Sequence, residues 1–501
     1  MKKIENNLLV IFSIAIFIYL ALSNIYNPGL YYDEVLFSNA AFGGDSDLFI
    51  YKRIFGIPVM LMSYIGALKS WIYFPIFKYF LVDQFSVRFP MILIGGLTLF
   101  LNYKIIKELF GNSAAIIFII LSSVEPSTIF HTKLDWGPTT LMMFFRATSI
   151  LFLIKYFKSK KIIYLILTFV SLLIGIYDKA NFIWIPISLL ITVFLLSEFK
   201  RITKFIFIIG IIFIFGFAIY FTNEISIPSF EKIHNNIFTL IQVMSGEDVF
   251  LVVSGRELAP AIAQKWIVLF CLATSFLFAL KNINRDINKK YFYAVLLFFF
   301  LITLEILITK QAVGPHHLAI LSPFWLIIIS IGLDSMSRDK LQIKIFNGTL
   351  FASIFILAII ISSLNIDRVY NTDLSSRIKP QWNRVSERLA TLANAFPRES
   401  KFIFIDWGSS TIFQALTQNS FALYDFWGWF NDGMDTESLK WFKNEFVKKG
   451  TYFIVPADGF EIFKSTKENF IKYKNINEWD LKMYNEIYDE NGKLAYTIYT
   501  L

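Results

Sequence analysis

Residues Leu141–Lys161 read LMMFFRATSILFLIKYFKSKK. An apolar run closes on Lys155, Lys158, Lys160 and Lys161. A helix needs roughly 20 mostly apolar residues to cross a bilayer. Lysine and arginine clusters beside such runs collect on the cytoplasmic side. The pattern recurs along the chain, near 8–25, 88–106, 113–130, 137–154, 162–177, 182–197, 205–222, 265–280, 291–309, 316–333 and 345–364. These are about eleven expected spans, so the chain reads as a polytopic α-helical membrane protein.

Composition agrees. Of 501 residues, 56% are hydrophobic and 17% charged, with a mean hydropathy of +0.57. Soluble proteins carry roughly 25% charged residues, so one aqueous globule is excluded. The net charge of +9 has its source in the short loops between spans, which removes nucleic acid as a partner. Cys271 is the sole cysteine and forms no intrachain disulfide. The start, Met1-Lys2-Lys3 before Leu8–Leu22, reads as an uncleaved first helix with a cytoplasmic N-terminus.

Loop charge decides one ambiguous stretch, Gly56–Phe77. If it does not cross, every basic cluster falls inside: Lys104 and Lys107, Lys155 to Lys161, Lys200 to Lys204, Lys281 to Lys290, and Arg338 to Lys344. If it crossed, all of them would move outside. It is therefore expected along the membrane surface, or dipping in without crossing, as Pro58, Pro75 and its aromatic residues allow. The outer loops are then 26–88, 131–137, 178–181, 221–264 and 310–316. No internal repeat of the kind found in transporters is present.

Beyond about residue 365 the composition becomes mixed. Lys401–Asp406 (KFIFID), Thr451–Val455 (TYFIV) and Leu494–Leu501 read as strands, and Gln381–Ala395 and Thr436–Lys448 as helices. The organisation expected is a membrane domain over 1–365 and a small extracytoplasmic α/β domain over 366–501.

Chemistry is expected in the outer loops. Asn27-Pro28-Gly29-Leu30-Tyr31-Tyr32-Asp33-Glu34 places two carboxylates just outside the first span. Such a pair can take a proton from an acceptor hydroxyl or amine, or could hold a divalent cation. Asp33 as the N-cap of a following helix explains the same residues. His131-Thr132-Lys133-Leu134-Asp135-Trp136 gathers a cation, an imidazole and a carboxylate, suited to a phosphate leaving group. A Trp-anchored interfacial loop explains it as well. Lys179 beside Asp178 could meet a lipid phosphate or pair locally. His316 and His317 could donate to a phosphate or sugar; adjacent positions on a helix point apart, making them poor chelators. Glu125, Arg146 and Glu305 lie inside apolar runs, where each costs about 2.5–3.5 kcal/mol unless it faces protein or water. Either a polar cavity or an ion pair would accommodate them.

The order of these pieces resembles the GT-C superfamily of membrane glycosyltransferases, in its protein O-mannosyltransferase and aminoarabinose-transferase branch. The likeness rests on Tyr32-Asp33-Glu34 in the first outer loop, Gly56-Ile57-Pro58, Ser86-Val87-Arg88-Phe89-Pro90 opening the second span, Lys107-Glu108-Leu109-Phe110-Gly111 closing it, and Pro315–Pro323 (PHHLAILSP). It covers about the first 330 residues and leaves the tail undefined. The resemblance implies a polyprenyl- or dolichyl-phosphate sugar as donor, a lipid, protein or glycan acceptor outside the cytoplasm, and transfer with inversion at the cell membrane. By the same likeness Asp33 is the base or acceptor-binding carboxylate and Glu34 its partner. Arg88, Lys179 and the His316–His317 region are then candidates for the donor phosphate. A surface-glycan polymerase or ligase, and a lipid or solute transporter, are the competing readings. The concentration of polar residues at one face argues against transport.

Overall fold

The computed structural model describes residues 2–42, 50–196, 208–213, 216, 233–282, 289–309, 314–338, 348–373 and 378–501. The chain folds as two compact units. The first comprises Met1–Ile25, Ser63–Gly66 and Arg88–Asp373; the second comprises Tyr26–Met62, Ala67–Val87 and Leu374–Leu501.

The first unit is helical. Among the described residues seven helices are long and apolar enough to cross a membrane, and two further pairs qualify if each is one broken span. The span expected near 205–222 lies largely outside the described residues, as do Lys200, Arg201, Lys204, Arg285, Lys310–Val313, Lys340 and Lys344. The other expected spans coincide with helices. Those expected at 162–177 and 182–197 become shorter apolar helices, Ile162–Asp178 and Ala180–Leu195.

Burial sorts the helices. The Pro315–Ser337 span is 94% buried within the protein, against 22% for Ile4–Leu22 and for Lys289–Ile308. The first is central, and the other two present apolar side chains to lipid. Ala259–Asn282 crosses the central helix so closely that a Cβ on Gly332 would stand 2.2 Å from the Ser275 carbonyl oxygen. Only a residue without a side chain permits that approach.

Two expectations are corrected. The span at 113–130 is broken into Asn112–Ser122 and Pro126–Lys133, bent by 60°. Glu125 caps the second piece by accepting from Thr128 N at 2.6 Å, and Pro126 stands at its first turn. This is a helix start in the middle of an apolar run. The segment 221–264, expected as a loop, contains Ile233–Ser245 and Glu247–Ser254, bent by 103° about Gly246 at φ +73°.

The in-span charges line no ion pair with one another. Arg146 donates to the Ile320 carbonyl, and to that of Ser322 at 2.6 Å, and its guanidinium lies 4.9 Å from the Phe324 ring centroid. Glu305 accepts from the Ser188 hydroxyl at 2.9 Å. Each charge is spent locking a break or a helix contact.

The second unit carries a five-stranded sheet in the order Ala422–Asp425, Lys401–Phe404, Thr451–Pro456, Leu494–Thr500, Lys482–Tyr488. The first three strands run parallel and the last two pair antiparallel. Residues 402–405 show why both faces are covered. Phe402 and Phe404 join a core with Val385, Leu389 and Phe413, while Ile403 and Ile405 join another with Phe430, Phe442 and Phe470. Alternate side chains leave a strand on opposite faces, so an uninterrupted apolar run demands helices on both. Gly56–Phe77 forms no span: it supplies part of the hairpin Lys52–Ile54 with Ile57–Met62 and the ten-residue helix Leu68–Phe77.

Candidate functional site

The sequence-read residues fall into two groups, one in each unit. Asp33 and Glu34 belong to the second unit. They sit in the first turn of the helix Tyr32–Ala41, whose N-cap is Tyr31 rather than Asp33. Glu34 is buried, and its Oε2 accepts from Tyr31 N at 3.0 Å. It therefore serves the helix end. Asp33 is half-buried in the same first turn.

Aromatic rings hold this turn in place. Tyr31 stacks on Trp382 with centroids 4.2 Å apart and planes inclined by 11°. Trp407 lies against Tyr32 at 4.4 Å. Burial, followed by the charge of Asp33, raises the Tyr31 phenol, so it stays neutral at ordinary pH. Gly29 N donates to the Trp382 carbonyl at 2.7 Å, and Asn39 donates to the Thr411 carbonyl at 3.2 Å. The first loop and the tail are thus one folded body. The sequence reading did not find Trp382 or Trp407 as supports of this turn. Nothing local in the sequence ties residue 31 to residues so distant.

The second group lies in the first unit. His131 and Lys133 are on the last turn of Pro126–Lys133, not in a loop. His131 Nε2 meets Asp248 Oδ2 at 2.7 Å, with both side chains buried. Its ring stands edge-on to Trp136 at 5.6 Å, and Trp136 stands edge-on to His316 at 6.3 Å. The His316 and His317 rings are 4.1 Å apart, closer than helical neighbours pointing apart would be. His317 Nδ1 accepts from Asn181 Nδ2 at 3.1 Å. A Cβ added to Gly137 would lie 3.4 Å from Lys179 Nζ, so the backbone of this loop approaches the ammonium. His131, Trp136, Gly137, Lys179, Asn181, Asp248, His316 and His317 therefore form one polar patch, buried at His131, Lys179 and Asp248 and half-buried at Asn181, His316 and His317.

Arg88 and Lys133 serve a neighbouring place. Arg88 donates to the Ile25 carbonyl at 2.6 Å, and Lys133 to that of Ser23 at 2.6 Å. Both are buried and grip the exit of the first helix. Asp135 Oδ1 accepts from Thr140 N at 2.8 Å, capping the helix Thr139–Ser159. Asp248 and Asn181 were missed by the sequence reading. The acidic pair Glu247-Asp248 after Gly246 was the available signal, hidden in a segment read as loop.

Among the described residues, no three His, Cys, Asp or Glu side chains gather as metal ligands. One Glu34 oxygen is engaged by the Tyr31 amide, so Asp33 and the second Glu34 oxygen are what this turn would offer a cation.

Residues 67–221 match the model of the dolichyl-phosphate-mannose-protein mannosyltransferase family. No curated protein matches the chain. Among solved structures, ArnT from Cupriavidus metallidurans in the apo state is similar with a TM-score of 0.63 at 10% identity, covering 98% of this chain and 97% of that one. The same protein bound to undecaprenyl phosphate gives 0.60 at 10% identity, with coverage of 98% and 97%. The oligosaccharyltransferase AglB from Archaeoglobus fulgidus, in complex with an inhibitory peptide and a dolichol-phosphate, gives 0.58 at 11% identity, covering 99% of this chain and 74% of that one. The fold is that of the GT-C membrane glycosyltransferases, and the resemblance read from the sequence is confirmed at that level.

Proposed function

We propose that this protein transfers a sugar from a polyprenyl-phosphate donor to an acceptor outside the cytoplasm, with inversion at the anomeric carbon. The observation that carries the reading is the end-to-end likeness in fold to a protein bound to undecaprenyl phosphate. The polar patch of Lys179, His316 and His317 supports it, as do Arg88 and Lys133 near the end of the first helix. In this reading Asp33 takes the proton from the acceptor hydroxyl or amine as that atom attacks the anomeric carbon. The bond from that carbon to the phosphate oxygen breaks, and the polyprenyl phosphate leaves with the electron pair. Lys179, Arg88 and Lys133 offset the charge it gains, with Asp248 fixing the His131 ring beside them. Asp135 positions its loop, and His316 and His317 donate to phosphate or sugar oxygens. The protein acts in the cell membrane with its N-terminus in the cytoplasm and residues 366–501 outside, as the loop charges require.

The test is transfer by the purified full-length protein supplied with undecaprenyl- and dolichyl-phosphate sugars, hexosyl and pentosyl, scoring release of free polyprenyl phosphate. Release by the wild type and its loss in folded Asp33→Asn supports the reading. Equal release in both removes Asp33 from its role. Absence of release with every donor removes the transferase assignment.

A further inference from the structure

The second unit has a crevice of its own, and the topology of its sheet explains where it opens. The strand Lys401–Phe404 leads into the helix Ser409–Leu416, whose Phe413 joins the core on one face. Its parallel neighbour Thr451–Pro456 leads into the helix Lys464–Ile476, whose Phe470 joins the core on the other face. Chains that leave adjacent parallel strands for opposite faces open a crevice at the carboxyl ends, where such sheets bind their ligands. The crevice found there is walled by Trp407 and Ser409 after the first strand and by Phe460 and Ile462 after the second. Asp406 ties the two loops together, accepting from Ile462 N at 2.7 Å and from Phe463 N at 3.3 Å.

The first loop completes the wall through Tyr31 and Tyr32. Asp33 is the next residue, and its charge acts on the Tyr31 phenol. The crevice therefore opens beside the turn that carries the carboxylate. Its aromatic side is the half-buried indole of Trp407, against which Tyr32 packs at 4.4 Å. Its polar side holds Ser409 and Tyr496, whose hydroxyl oxygens stand 3.0 Å apart. The enclosed well measures about 20 Å³, enough for one water or one hydroxyl group. A larger ligand must put a hydroxyl into the well and lay the rest of itself across the mouth.

We propose that this crevice seats a sugar ring of the acceptor, one ring hydroxyl entering the well beside Ser409 and Tyr496 and the carbon–hydrogen face of the ring lying on the Trp407 indole. The inference rests on the transferase reading and names its acceptor class as a glycan. A hydroxyl both donates and accepts, which suits a well whose own hydroxyls do the same. The face of an indole is the negative side of its quadrupole, and it attracts the polarised C–H groups that a sugar ring presents on one side. A serine side chain would bring the hydroxyl without the face. An acyl chain would bring apolar C–H groups without the hydroxyl. Only a ring that carries both uses the two sides of the crevice together. Trp407 is then a specificity residue for the acceptor, set one turn of chain from the base.

The experiment is saturation-transfer NMR on the full chain in detergent, with no donor present, so that it reads binding apart from transfer. The probes are the methyl glycosides of mannose, glucose, galactose and arabinose, a capped Ala-Thr-Ala peptide, and glycerophosphoglycerol as a lipid headgroup. At least one glycoside should give a saturable signal. Trp407→Leu should weaken its binding severalfold, and Trp407→Phe should restore most of it. Trp429→Leu should leave it unchanged, because Trp429 is an exposed residue packed on Trp441 elsewhere in the tail. Ser409→Leu, which fills the well and spares the indole, should also lose the glycoside, with thermal unfolding confirming the fold of each variant. The proposal is overturned if Trp407→Leu and Trp429→Leu behave alike, or if Ser409→Leu binds as the wild type does. It is equally overturned if no glycoside binds, or if the peptide or the glycerophosphoglycerol binds in place of every glycoside. Transfer to a peptide without glycoside binding would remove the glycan acceptor and keep the transferase. Glycoside binding by a protein that transfers from no donor would do the reverse.

Discussion

Asp33 and Glu34 are neighbours with different surroundings, and the difference assigns their work. Glu34 is buried and bonded to the amide that opens its helix; Asp33 keeps access to solvent at the same helix pole. Asp33→Asn should leave thermal unfolding unchanged while transfer falls by about 10²–10⁴, the usual worth of a general base. Glu34→Ala should cost about 1 kcal/mol of stability through the lost cap, with activity following the folded fraction. Equal stability losses in both would show that Asp33 is structural. In the tail, burial pushes the Asp425 carboxyl up to about 6, against the lowering effect of its bonds from Ser410 and Trp427 N, with Asp406 adding a small rise. A carboxyl raised on folding contributes stability that is present below its unfolded value near 4 and lost as pH rises through 6. Hydrogen exchange at the Lys401–Phe404 strand, corrected for intrinsic rate, should therefore lose more protection between pH 4 and pH 7 in the wild type than in Asp425→Asn. Identical profiles would place the titration elsewhere.

At the scale of elements, what the sequence shows depends on how local the cause is. Long apolar runs mark their helices because lipid contact is written into each residue. The strands at 401–404 and 451–456 were legible because their central residues are apolar and buried on both faces, and 494–500 because its β-branched and aromatic residues favour a strand. Lys482–Tyr488 was not, since it pairs along only one side and its exposed positions mix Lys482 with Met483, Tyr484 and Tyr488, while Asn485 and Glu486 interrupt any apolar run. The break at Glu125 escaped because one capping carboxylate resembles a charge buried in error. For the site, residue types were legible and partners were not: His131 stood out beside Lys133 and Asp135, but Asp248, 117 positions away, does not. Close approach is a further property invisible to pattern. Gly29 lies so near the tail that a Cβ would stand 2.7 Å from the Asn383 carbonyl oxygen. Gly29→Ala must separate the loop from that strand of backbone, at a cost of about 1–3 kcal/mol, and should raise exchange at Tyr31 to Val35. Unaltered exchange and melting would show that the contact yields freely.

For the whole molecule, the consequential fact is that the segment bearing Asp33 does not fold with its sequence neighbours. Residues 26–62 and 67–87 belong to one compact unit with the tail. Tyr31 stacks on Trp382, Gly29 bonds to the same residue's carbonyl, Gln84 bonds to Glu387, and Asn39 reaches Thr411. A first loop of this length must offset about 1–2 kcal/mol for each backbone residue it fixes, and the contacts just named run to the tail. Its order is lent by the five-stranded sheet and the helices on it. Ending the chain after Asp373 should therefore leave the membrane helices inserted but expose Arg53, Lys69 and Lys78 to trypsin. Of these, Lys69 is fully buried in the intact protein, against the rings of Phe37 and Tyr73. Transfer activity should vanish with that protection, even though Asp33 itself is retained. Adding back the tail as a separate chain tests the same dependence in reverse. A truncated protein whose first loop still resists trypsin at Lys69 would mean that the loop is self-sufficient, and the tail would then have to earn its place by some other contact.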